Sequence, residues 1–150
     1  MYVADTKRLT HAGAKQMMAT AIGEAEAAGV PITVAIADAG GNLILLERME
    51  GGRFHTVHSA TTKAVCAASN RRPTSSQGAQ GQALDTMHAL GLALAAGPER
   101  WTAMEGGCPI IVEGECIGGI GVAGGDWQFD ERIAREAVES IGASWRIAAK

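Results

Sequence analysis

Gly106-Gly107-Cys108-Pro109-Ile110-Ile111-Val112-Glu113-Gly114-Glu115-Cys116-Ile117-Gly118-Gly119-Ile120-Gly121-Val122-Ala123-Gly124-Gly125 carries eight of the chain's 20 glycines. It contains a literal G-x-G-x-x-G string at Gly119, Gly121 and Gly124. A dinucleotide fingerprint needs its glycines to follow a first strand and open a helix within a βαβ unit, with an acid about 20 residues on. Here they fall inside a strand-like run, Cys116–Ala123, that follows a turn at Glu113-Gly114-Glu115. Only one helix-sized segment remains before Lys150, so no βαβ unit can be completed and nucleotide binding through this string is rejected. Glycines within a strand instead allow close approach to its backbone, or a bulge. A ligand or a neighbouring subunit is the expected visitor.

Upstream, Thr10 is placed to cap a helix running to about Ala28, with Leu9 as the staple residue before it. Gly29 and Pro31 end that helix. Ile32, Val34 and Ile36 alternate with Thr33, Ala35 and Ala37, the period of a strand, and Asp38-Ala39-Gly40-Gly41-Asn42 is turn chemistry before Leu43–Leu46. Both strands are apolar on both faces, so one sheet face takes helices and the other takes further helix, a ligand or another subunit. A helix is expected over about Phe54–Ser69, with Val57, Ala60, Ala64 and Ala67 as its buried stripe, stopped by Arg71-Arg72-Pro73. Thr74 is expected to cap a short helical turn, and a further helix is read over about Ala83–Ala96. The last helix is expected over about Phe129–Ala148, with Glu131 and Arg135 paired at i, i+4. The sum is a single α+β domain, 1–150, around an antiparallel sheet.

The chain has 150 residues, is 47% hydrophobic and carries a net charge of −3, enough for one substantial core and without a basic field for nucleic acid. No apolar run is long enough to span a membrane. The start, MYVADTKRLT, lacks the apolar region of a signal peptide, so a cytoplasmic location is expected. Cys66, Cys108 and Cys116 form no C-x-x-C and are expected to be reduced thiols, Cys108 and Cys116 within reach of each other across the hairpin.

His55 and His58 stand three apart at the start of a helix, with Thr62 within about 20° of His55 in projection. Two imidazoles and a hydroxyl beside a helix N-terminus make a candidate pocket wall; a closed zinc site lacks further local ligands. His88 lies with Leu84 and Gly91 on an apolar stripe and is expected to be a half-buried, satisfied histidine. His11 begins the first helix, where a surface position is expected. Lys63, in a small apolar stretch, either snorkels out or meets a carboxylate. Asp38 is the natural acceptor for the following turn, and Arg48 is placed to hold a ligand carboxylate or to pair with Asp38.

Several segments together resemble the GlcG/HbpS family, which includes the C-terminal domain of PduO-type corrinoid adenosyltransferases. They are Ala35-Ile36-Ala37-Asp38-Ala39-Gly40-Gly41-Asn42-Leu43, Arg48-Met49-Glu50-Gly51, Lys63-Ala64, Pro73-Thr74, Gly106-Gly107-Cys108-Pro109-Ile110, Gly118–Gly125 and Asp130-Glu131. The resemblance covers nearly the whole chain. It implies a profilin-like antiparallel sheet flanked by helices, and homo-oligomers built up to octamers. It implies haem or a related tetrapyrrole as ligand for some members. PduO-type domains are attributed a haem-ligating histidine in their first helix; His11 stands in the corresponding helix, and that role is not carried over. Ala123 replaces the usual Ser before the last diglycine, Gly52 replaces a residue such as Ala, and Phe129 replaces a polar residue.

Three functions compete. The first is non-covalent haem binding, since there is no C-x-x-C-H, with His11, His55, His58 and His88 as candidate iron ligands. The second is a cofactor-independent isomerase, tautomerase or hydrolytic enzyme for a small oxygenated acid. There His55 or His58 is the base and Arg48 or Lys63 the carboxylate contact, with backbone N–H groups facing an enolate. Asp38, Thr62, Thr74, Gly106, Gly107, Gly124 and Gly125 are the expected pocket residues. The third is a non-catalytic oligomeric accessory protein whose partner is itself.

Overall fold

The computed structural model describes residues 1–147; the Ala148 end expected for the last helix lies outside the described residues. The elements follow the order α1 (His11–Ala28), β1 (Thr33–Asp38), β2 (Leu43–Arg48), α2 (His55–Asn70), α3 (Thr86–Ala96), β3 (Gly107–Val112), β4 (Glu115–Ala123) and α4 (Trp127–Glu139). The four strands form one sheet in the order β2-β1-β4-β3, every neighbouring pair antiparallel, an α+β fold.

Local chemistry sets the first half as read. Thr10 Oγ1 accepts the Gly13 N–H at 3.0 Å, Leu9 is buried in the core, and Gly29 closes α1 at φ 69°. In the β3–β4 hairpin, Glu113 and Gly114 both take positive φ, 51° and 78°, the turn that matches strand twist. Cys108 faces Ile120 and Cys116 faces Ile111 in that register, so the two thiols do not meet and all three cysteines are free.

Helices cover both faces. α1 and α4 pack on one, burying Met17, Ile36, Ile120 and Ile133 together. α2 packs on the other, against Ala35, Ala37 and Ala123. The second face is thus closed by the chain itself, and the visitor to the glycine run is α2. A Cβ on Gly121 would collide with the Ala60 carbonyl oxygen and stand 2.7 Å from Ala64 N; one on Gly119 would collide with the Ala64 carbonyl. Small residues on both partners, Ala60 and Ala64 against Gly119 and Gly121, make this contact backbone to backbone.

Three element boundaries differ from expectation. α4 stops at Glu139: the Ser140 hydroxyl donates to the Ala137 carbonyl and Gly142 turns the chain at φ 77°. Ser144 then bridges Ile111, and the Arg135 guanidinium lies 4.1 Å over the Trp145 ring. Ile141 and Trp145 therefore reach the core from a turn while keeping helical spacing in sequence. Thr74 caps no helix; it lies outside any helix or strand and is tied to Gly107, its N–H donating to the Gly107 carbonyl and its hydroxyl accepting the Gly107 N–H. α3 begins at Thr86, where Asp85 caps it by accepting the His88 N–H at 2.8 Å.

Candidate functional site

Lys63 meets a carboxylate rather than snorkelling. Its ammonium donates to the Val122 carbonyl at 2.8 Å and lies 3.6 Å from Asp130, both side chains being 4% exposed. Asp130 also accepts the Gly125 N–H at 3.0 Å. Gly106 takes φ 115° beside them, where a Cβ would stand 3.0 Å from Lys63 Nζ. Gly107 donates to Thr74 Oγ1 at 2.9 Å. Three of the expected residues, Lys63, Gly106 and Gly125, thus converge around a carboxylate on α4, and two more, Thr74 and Gly107, pair with each other beside the Lys63 backbone. Burial pushes the Lys63 pKa down, offset in part by Asp130; burial likewise pushes Asp130 up against the pull of Lys63. The knot ties α2 to α4 across the end of the sheet.

Beside it opens a groove of about 500 Å³ lined by Arg72, Thr74, Glu105, Trp127, Glu131 and Arg135. Arg135 pairs with Glu131, while its Nε is buried without a hydrogen-bond partner. Apart from Thr74, these residues are absent from the expected site. The signal for Arg72 was its position just before Pro73-Thr74; Glu105, Trp127 and Arg135 are joined only by the fold. A second groove, about 480 Å³, lies at the β1–β2 turn between Asn42, Cys66, Asn70, Arg100 and Trp101. Asp38 organises that turn, accepting the Gly40 and Asn42 N–H groups at 2.9 Å each; the Asn42 N–H contributes most to holding its carboxyl below the usual range. Arg48, on the other end of β2, donates to the Gly52 carbonyl at 2.7 Å and does not pair with Asp38. Gly124 takes φ 123°, with a Cβ there 2.8 Å from the Pro31 carbonyl oxygen.

The histidines are dispersed. His55 and His58 are exposed on the first turn of α2, while Thr62 is buried, so the three do not form one open wall. The first turn is instead fastened to the sheet by the buried Thr33–Thr56 hydroxyl pair at 2.7 Å. His11 is exposed at the start of α1. His88 is exposed rather than half-buried, its side chain 77% open, but it is satisfied: Nδ1 lies 2.8 Å from the Asp85 carboxylate. It shares one side of α3 with Leu92 and Ala95, at i+4 and i+7. Among the described residues no group of three His, Cys, Asp or Glu side chains is placed to hold a metal ion by itself, and no helix is long and apolar enough to cross a membrane.

Residues 9–139 match the HbpS-like family, described as haem degrading protein HbpS-like. The chain belongs to that family. Protein GlcG of Escherichia coli K12 is 32% identical over 113 residues, covering 72% of this chain and 79% of GlcG. Among solved structures, a PduOC:heme complex superposes with a TM-score of 0.80 at 26% identity, covering 93% of this chain and 99% of that one. A double mutant of HbpS from Streptomyces reticuli gives 0.78 at 30% identity, covering 93% of this chain and 91% of that one. The GlcG/HbpS resemblance of the sequence is thereby established as membership, and the glycine run lies within the matched segment.

Proposed function

We propose that this HbpS-like domain binds haem or a closely related tetrapyrrole non-covalently, with His88 as the axial iron ligand. The class of ligand is supported by the likeness to the PduOC:heme complex over 93% of the chain. The choice of residue is carried by one observation, the 2.8 Å contact between His88 Nδ1 and Asp85. A carboxylate on Nδ1 fixes the tautomer, leaves Nε2 as the donor and raises its basicity, the arrangement that supports metal-ligating imidazoles. Nε2 then projects from a helix whose neighbouring exposed side chains, Leu92 among them at 43%, suit an apolar macrocycle. The donor set fits the group. Haem, when bound, supplies the redox and oxygen chemistry of its iron; the protein's part is to hold it and tune it through the His88–Asp85 pair. No comparable geometry favours the enzymatic reading, since neither His55 nor His58 lines either groove described above.

Titration with hemin tests this. A saturable Soret shift is expected for the wild type and for His11→Ala, His55→Ala and His58→Ala, and its loss for His88→Ala. Asp85→Asn preserves the helix cap, because Asn caps as well as Asp. It is expected to keep the Soret band and to raise the midpoint potential, because the ferric state loses an anionic partner. Absence of a saturable shift in the wild type refutes haem binding, and an unchanged spectrum in His88→Ala refutes the ligand.

A further inference from the structure

The groove beside the Lys63–Asp130 pair has a wall chemistry that the haem reading leaves unused. One wall is the chain that follows α2, which Arg71 ends at φ 59°. The other is a face of α4, where Trp127, Glu131 and Arg135 follow at i, i+4 and i+8. At about 500 Å³ the space is within the usual range for a small-molecule site.

Its charges do not cancel within the protein. Glu131 neutralises Arg135, whose guanidinium is also stacked on Trp145. The unpartnered Arg135 Nε is covered, so it belongs to that fixed wall and not to the open space. Arg72 and Glu105 remain, one cation and one anion, both half-buried on the groove and neither in an ion pair among the described residues. Glu105 acts on Lys63 only from a distance, because that ammonium is taken by Asp130 and the Val122 carbonyl. Thr74 adds a directed donor. It is 3% exposed, and its oxygen accepts the Gly107 N–H at 2.9 Å, so its hydroxyl proton is left to donate and finds no acceptor among the described residues. A buried donor in that state is unfavourable, and a ligand oxygen in the groove would relieve it. Trp127 is 55% exposed, and among the described residues neither a ring nor a cation stacks on its indole.

We infer that this groove binds a free α-amino acid with an apolar side chain. Arg72 and Thr74 take its carboxylate, Glu105 takes its ammonium, and Trp127 and Pro73 receive its side chain. A guanidinium fork and a hydroxyl match the two oxygens of a carboxylate. A plain carboxylic acid would leave Glu105 facing it with like charge, and a plain amine would leave Arg72 doing the same; the zwitterion satisfies both.

Isothermal titration calorimetry of the full-length apo protein tests this with L-phenylalanine and L-leucine, and with 3-phenylpropionate and phenethylamine, which each lack one charge. Both amino acids are expected to bind. Both analogues are expected to bind at least about tenfold more weakly than L-phenylalanine, as loss of a charge-assisted hydrogen bond requires. In Arg72→Gln the affinity for L-phenylalanine is expected to fall to that for phenethylamine, and in Glu105→Gln to that for 3-phenylpropionate. Since neither side chain has an ion-pair partner in the protein, both variants are expected to keep the wild-type urea midpoint, which separates lost contact from lost fold. A wild type that binds neither amino acid overturns the inference. So does 3-phenylpropionate binding as tightly as L-phenylalanine, which would make the groove a plain anion site. Equal weakening of all four ligands by either variant also overturns it, because a merely structural role would do that. His88→Ala is expected to leave L-phenylalanine binding intact, as is added hemin; competition by hemin would put the groove inside the haem site and overturn its separate assignment.

Discussion

Gly121 is where a single atom decides the packing. Its missing Cβ is the space in which the α2 backbone lies, against the Ala60 carbonyl and Ala64 amide. Gly121→Ala is expected to cost about 3 kcal/mol, the upper range for overpacking, because the obstructing atoms are backbone and cannot rotate away. Gly114→Ala is the control. Gly114 has φ 78° but open space around it, so about 1 kcal/mol of backbone strain is expected. Urea denaturation of the two variants separates close approach from conformation; equal losses would remove α2 contact as the reason for the glycine. The need for glycine at this position was legible in the sequence, but its neighbour was not. Strand periodicity says nothing about which helix lies across the strand, and the alanines of α2 carry no signal that names a partner.

At the scale of elements, Lys63 on α2 and Asp130 on α4 hold two helices that pack on opposite sides of the sheet. Lys63→Met is expected to destabilise by about 3 kcal/mol, since it leaves a buried carboxylate unpaired, and Lys63→Met with Asp130→Leu to recover most of that loss. Comparable losses in the single and double variants would show that the pair has no mutual energetics. The pH dependence follows from the shifts. Asp130 is raised above its ordinary 3.8, so between that value and its folded pKa the native state holds the extra proton, and stability falls as pH rises through that window. Lys63 is lowered from 10.5, so below that value and above its folded pKa the unfolded chain holds the extra proton, and stability rises with pH there. Urea melts of wild type and double variant across pH should differ with those two slopes; a constant difference would contradict them. Lys63 in its small apolar stretch announced a buried partner, but Asp130 lies 67 positions away and only the topology brings it there. α1 and both hairpins were legible because caps, turns and period 2 are local. The end of α4 was not, because Ile141 and Trp145 keep the helical spacing after Gly142 has turned the chain.

At the scale of the molecule, the thiols report how the whole structure opens. Cys108 is fully buried on the β3 edge strand, and burial pushes its pKa up to about 12. Cys116 is only partly buried. Native protein treated with a thiol reagent is therefore expected to label Cys116 directly, and Cys108 only through global unfolding, with a urea dependence equal to the equilibrium m-value. Labelling of Cys108 without that dependence would reveal a local opening of β3. Such an opening matters because that strand is the closed end of the sheet. Ser144 exchanges both backbone hydrogen bonds with Ile111, at 2.7 and 2.8 Å, and β3 is buried along its length. At the opposite end β2 leaves Leu43, Ile44, Leu45 and Leu46 exposed or half-buried, with nothing beyond them among the described residues. The sheet is thus single-ended as a building unit. A second copy joined strand to strand at β2 would give eight strands whose two outermost are both β3, and growth would terminate there. A single residue beyond the shortened α4, Ser144, thereby acts as a chain stopper, limiting to one addition a template that two open edges would let run on as a fibre.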